Sequence, residues 1–265
     1  MNKLTIKNKK NRILNTLEEW EKGFIEVDEK NHWSEGYSAF SLGKFFTCEL
    51  GEKWLNSLMT DIFGEEVIYD DAEIEHASKL DTYGKRQRMQ DLAIWGTVLG
   101  ENIFVAIEAK VLESFGNYYV KEEYDRAIQE RDTTNPRSKK TNRIEDIVEF
   151  LFPGKTPYDK PVCNLRYQLM HYFTASIKEG RTLKESNLPL KKRKTSVSTV
   201  VLPILVFKTK HYYEDSEAGN SNKKDYVDFV TQLKFSTKNV GDRTIYYKNI
   251  HNCDVYTVYE TVELL

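Results

Sequence analysis

The chain has 265 residues, 40% of them hydrophobic and 30% charged, with a formal net charge of -2. That composition supports a sizeable core and excludes both a disordered chain and a uniformly basic coat, since phosphate binding is driven by Lys and Arg. Three cysteines, Cys48, Cys163 and Cys253, stand far apart without a CxxC pair, which excludes a disulfide scaffold and points to a reducing, cytoplasmic setting.

No apolar signal core follows the basic opening MNKLTIKNKKNR, and the longest apolar run, VVLPILVF, is too short to cross a bilayer. Residues 1–30 read as an arm, solvated or touching phosphate, with a short helix from Ile13 to Phe24, and residues 31–265 as one α/β domain. From His32 to Phe63 the apolar positions Phe40, Leu42, Phe45, Leu55, Leu58 and Ile62 recur at helical spacing, and Gly64 closes the helix. VIYDDAEIEH then reads as a strand, in which Glu75 is either a member of an acidic cluster or an edge-strand charge that discourages aggregation. His76 has no evident partner. The loop that follows carries Lys85, Arg86 and Arg88, candidates for phosphate contacts or ordinary surface charge.

The stretch QRMQDLAIWGTVLGENIFVAIEAK reads as a hairpin of two strands, Gln90 to Leu99 and Asn102 to Val111, joined at Gly100-Glu101. Glu108 and Lys110 lie two apart and share a face. Counting back from the turn sets Asp91 opposite Lys110, with Glu108 on the diagonal. Two carboxylates that close repel unless a cation lies between them, and a hard divalent ion such as magnesium takes oxygen ligands of this kind. Lys110 beside them could stabilise a phosphate or help deprotonate water. The other reading of the same residues is a solvated strand face with a loop-ending Asp.

Beyond the hairpin, helices are expected over Tyr118 to Arg131, Arg143 to Phe152 and Asn164 to Lys178, the last ended by Gly180. TTNPRSKKTNR and KKRK are basic stretches that either reach a ligand or sit in solvent. Ser196 to Phe207 reads as a buried strand with an irregularity at Pro203, followed by a loop, a short helix over Tyr226 to Leu233, and one or two strands over Thr244 to Val262. The sum is a mixed central sheet flanked by helices.

Asp91, the hairpin and Glu108-Ala109-Lys110 in that order resemble the PD-(D/E)xK superfamily of restriction-endonuclease-like nucleases. HWSEGYSAFSLGKFF, the Glu-x-Lys strand running into VLESFG, and NLRYQLMHYFTAS resemble one group of mostly uncharacterised bacterial members. The usual Pro before the Asp is replaced by Gln90. The resemblance implies a restriction-endonuclease-like core and a metal-dependent endonuclease acting on nucleic acid, most readily DNA, in defence or nucleic-acid processing. It implies Mg2+ or Mn2+ held by Asp91, Glu108 and the carbonyl of Ala109, with Lys110 as the third catalytic residue. It further offers Glu49 or Glu52 on the early helix, and Gln168 with Arg166 on the later one, as accessory or nucleic-acid-contacting residues. A nuclease-fold module that binds nucleic acid or a protein partner without cutting it stays open beside this, as does a homodimer. Sugar hydrolysis by paired carboxylates ranks last, because Lys110 has no place in it.

Overall fold

Strands in the order β1-β2-β3-β4-β5-β8-β7-β6 make one mixed sheet in the computed structural model, which describes residues 4–26, 33–83, 88–111, 113–181, 199–210 and 217–264. The elements run β1 (Ile6–Lys7), α1 (Leu17–Ile25), α2 (Ser38–Thr47), α3 (Leu50–Phe63), β2 (Ile68–Ser78), β3 (Arg88–Val98) and β4 (Glu101–Lys110). They continue with α4 (Val120–Thr133), α5 (Lys140–Leu151), α6 (Tyr167–Arg181), β5 (Thr199–Lys208), α7 (Glu217–Gln232), β6 (Ser236–Val240), β7 (Arg243–Ile250) and β8 (Cys253–Glu263). Lys85, Arg86, His32 and the KKRK stretch at 191–194 lie outside the described residues.

Alternation along β3 and β4 sends side chains into two separate cores. Leu92, Ile94, Ile103, Val105 and Ile107 pack with Trp20, Phe45, Leu55 and Leu58 of α1 to α3. Ala93, Trp95, Phe104 and Ala106 pack with Val120, Ile147, Leu169, Phe173 and Phe229 of α4 to α7. Both faces of β4 are therefore buried, as befits a strand between antiparallel β3 and parallel β5. Asp91, Glu108 and Lys110 share the parity of Ala93 and Ala106 and so belong to the second face.

Several expectations change. The described start of the N-terminal arm is docked rather than solvated: Ile6 and Lys7 pair parallel to Ala72 and Glu73, Leu4 and Ile6 are buried, and Lys7 lies 2.8 Å from Asp71. The long early helix breaks into α2 and α3 at Glu49, whose φ is 61°. Gly51 explains part of the break, because a Cβ there would come within 2.9 Å of the Phe46 backbone. Gly180 lies inside α6 instead of ending it; its missing Cβ lets the helix settle on Val200, which would otherwise stand 2.4 Å away. Helix α7 starts at Glu217, well ahead of Tyr226. Cys48 is exposed, while Cys163 and Cys253 are buried.

Pro203 keeps full register with β8, and its irregularity falls on the other side. Pairing of β4 with β5 stops after Val105↔Val201 and resumes at Glu108↔Ile204. Proline has no N–H to offer there. The carbonyl of Ala106 instead accepts the Tyr172 hydroxyl of α6 at 2.6 Å, which ties the helix to the sheet two residues before Glu108.

Candidate active site

The turn between β3 and β4 is Leu99-Gly100, both at positive φ (51° and 82°), the backbone a two-residue hairpin of matching twist requires. Pairing runs from Val98↔Glu101 to Leu92↔Ile107. Carried one residue further, it sets Asp91 opposite Glu108, with Lys110 on the diagonal. The sequence reading, with Gly100-Glu101 as the turn, places Asp91 opposite Lys110. The two registers differ by an even number of residues, so every side chain keeps its face.

The cluster that results is dense. Asp91 accepts the Ala109 backbone N–H at 2.7 Å. Glu108 is only 1% exposed. One of its oxygens, Oε1, receives Lys110 Nζ at 2.9 Å and Gln168 Nε2 at 2.9 Å. The other, Oε2, is bound by the Arg88 guanidinium. Arg88 stands 6.0 Å from the centre of the Tyr172 ring, and its Nε has no hydrogen-bond partner among the described residues.

Charge in so little water does not sit at its ordinary equilibrium. Desolvation and the facing Glu108 carboxylate push Asp91 up to about 7, against the pull of Lys110, Arg88 and the Ala109 N–H. Burial alone would raise Glu108 too, but Arg88 and Lys110 outweigh it and hold that carboxyl below its usual range. Burial works to lower Lys110, yet Glu108 and Asp91 raise it, so it stays an ammonium in this arrangement. An ammonium can stabilise nearby negative charge but cannot accept a proton. His171, one turn past Gln168, is held neutral at about 3 by burial and by Arg88, and its Nε2 is buried without a partner among the described residues.

The other sequence candidates distribute unevenly. Gln168 reaches the cluster, and Arg88 lies inside it rather than out on a phosphate-contacting loop. Glu75, at a φ of 49°, falls opposite Asp91 between the pairs Ile74↔Leu92 and His76↔Gln90. Arg166 is removed from the cluster: its Nε binds Asp225 at 2.7 Å and its guanidinium lies 4.3 Å over the Tyr119 ring. Glu49 is exposed and 3.3 Å from Lys53, and Glu52 accepts the Leu4 N–H at 3.3 Å. Neither reaches Asp91, because α3 packs on the opposite face of the sheet. Tyr172, missed in the sequence, is findable in retrospect as the residue one helical turn past Gln168. His76, without a partner in the sequence, sits 3.3 Å from Glu73 and 3.4 Å from Glu179 and edge-on to Trp95. Glu179 is 103 residues away, a separation no local pattern reveals. A cavity of about 610 Å³ lies elsewhere, against Asp61, Tyr226, Arg243 and Glu260, and its mixed charges select no ligand class.

As a donor set, Asp91 and Glu108 have the chemistry a hard divalent ion takes, all oxygen and two negative charges once Asp91 is ionised, with Arg88 at present on one of the carboxylates. Among the described residues no three His, Cys, Asp or Glu side chains converge to hold a metal. A backbone carbonyl or solvent would complete the coordination, as magnesium commonly allows.

A family profile described as a domain of unknown function (DUF6946) matches residues 13–263. No curated protein and no solved structure matches the chain.

Proposed function

The chain belongs to the DUF6946 family, and we propose that this member is a divalent-metal-dependent nuclease that hydrolyses phosphodiester bonds, most readily those of DNA. The observation that carries the reading is the convergence of Asp91, Glu108 and Lys110 at one end of a buried hairpin, with Gln168 fixing the Glu108 carboxylate at 2.9 Å. The order α3-β2-β3-β4, followed after α4 and α5 by α6 and β5, with those four strands adjacent in the sheet, also supports the restriction-endonuclease-like core that the motifs resemble. Mg2+ or Mn2+ bound between the carboxylates would polarise a phosphate oxygen and ease deprotonation of water.

The chain's own residues supply the rest. Asp91, tied to the Ala109 N–H, and Glu108, tied to Gln168, bring their carboxylates from two neighbouring strands and are held in place by those contacts. Lys110 places a positive charge where the phosphate gains negative charge. Attack by water forms one P–O bond as the bond to the leaving oxygen breaks, giving a phosphomonoester and a free hydroxyl.

The test is cleavage of plasmid, linear duplex, single-stranded DNA and RNA, with and without Mg2+ or Mn2+, by wild type, Asp91→Ala and Lys110→Ala. Each substitution is expected to lower the rate by about 10³-fold or more, roughly 4 kcal/mol of barrier, with folding intact. Undiminished cutting by either variant ends the proposal. The pairing of Glu108 with both Arg88 and Lys110 also favours a second reading, a nuclease-fold module that binds nucleic acid or a protein partner without cutting. Binding with no cleavage of any substrate selects that one.

A further inference from the structure

Glu108 already carries two cations and an amide. Three donors, from Arg88, Lys110 and Gln168, converge on its two oxygens, and the carboxylate is almost wholly buried. With Asp91 ionised, the two carboxylates are already balanced by two cations before any metal arrives. A divalent ion added to that set would bring positive charge against positive charge in a region of weak screening. One of the present partners therefore has to leave.

The geometry says which. Lys110 is two residues from Glu108 on the same strand, and its ammonium lies 6.0 Å from the centre of the Phe115 ring. Gln168 is neutral, so it costs a metal nothing, and it is held on α6 one turn before Tyr172, which is itself pinned to Ala106 at 2.6 Å. Arg88 is the first residue of β3. It has the longest reach of the three, its Nε is unpartnered among the described residues, and its Nη2 sits on the Glu108 oxygen that neither of the others touches.

Resting on the nuclease reading above, we infer that Arg88 is a substrate-coupled gate, occupying the cation position on Glu108 until a nucleic-acid phosphate offers its guanidinium a better anion. Arg88 then moves from carboxylate to phosphate, a pairing its planar fork makes equally well. The exchange vacates Glu108 Oε2 for the metal when substrate is present. Cation and nucleic acid become positively linked, each strengthening the other's binding by the same factor. Without substrate, a metal has to displace Arg88 itself and binds more weakly.

Calorimetric titration of Mn2+ into wild type, Arg88→Met and Arg88→Gln, alone and with a short phosphorothioate DNA duplex, reads this directly without turnover. Both variants are expected to bind Mn2+ about tenfold tighter than wild type in the absence of DNA. The duplex is expected to tighten Mn2+ binding several-fold more in wild type than in either variant. Arg88→Gln keeps a hydrogen bond to Glu108 without the charge, so it serves if Arg88→Met does not fold. Equal affinity in all three proteins overturns the gate and leaves the metal site standing. Weaker binding in the variants also overturns it, making Arg88 a support of the ligand set. Absence of Mn2+ binding in all three, with and without DNA, overturns the gate and the nuclease reading together.

Discussion

At the far side of the sheet, Arg243 of β7 is held by Asp61 of α3 and Glu260 of β8, with Ser57 Oγ 3.4 Å away and Trp54 Nε1 donating to Glu260 at 2.6 Å. At the β3–β4 end, Arg88 meets Glu108, which already serves Lys110 and Gln168. Both are arginine and carboxylate clusters, and each joins a helix to the sheet. In the first, a single guanidinium spreads its donors over two acids, and side chains 13% to 25% exposed keep some access to water. In the second, donors crowd one carboxylate that is 1% exposed, a neighbouring carboxyl is pushed up to about 7, and a guanidinium nitrogen is left over. The Arg243 cluster is satisfied as it stands; the Glu108 cluster leaves Arg88 Nε and the nearby His171 Nε2 without partners among the described residues. Strongly perturbed, mutually opposed groups of this kind mark functional sites more often than structural ones.

Breaking the satisfied cluster should cost the most stability. Arg243→Met leaves Asp61 and Glu260 without their shared cation and is expected to lower the unfolding free energy by roughly 3 kcal/mol in urea melts, while Mn2+ binding is retained in the folded protein. A loss under about 0.5 kcal/mol would remove the contrast drawn here.

A smaller effect sharpens the same comparison at a third place. His76 between Glu179 and Glu73 is raised to about 9 despite burial, which opposes the charged form. Its folded value lies above the unfolded one of about 6.5. The stability it contributes, on the order of 2 kcal/mol, is therefore complete below about pH 6.5 and is lost as pH rises through about 9. His76→Gln is expected to flatten that slope between those limits; an unchanged slope would mean that the His76 pairs contribute nothing.

Much of this was legible in the chain, and the misses have physical causes. Period-two patterning gave the hairpin and the shared face of Asp91, Glu108 and Lys110, because parity survives an error of two residues in register. The turn itself was misplaced, since Leu99, 78% exposed at a φ of 51°, is not a residue type that announces positive φ. Strand β6 carries no apolar alternation, STKNV being nearly all exposed at the sheet edge, so no pattern marked it. Strand β1 is two residues within a basic run and forms only because β2 offers it an edge. Of the donors on Glu108, Lys110 was legible from its spacing and Gln168 from the resemblance, whereas Arg88, 20 residues away, is brought to it only by the fold.

The central claim, that Asp91 and Glu108 are poised for a divalent ion, meets its most direct test in thermal melts of wild type and Asp91→Asn at about pH 8, with and without Mn2+. Asparagine keeps an acceptor for the Ala109 N–H and removes a carboxylate that the folded protein disfavours. The variant is expected to melt at or above wild type in metal-free buffer. Saturating Mn2+ is expected to raise wild type by roughly 5 to 10 °C and leave the variant unmoved. A variant that melts well below wild type without metal, or that rises with Mn2+ as wild type does, would contradict the account.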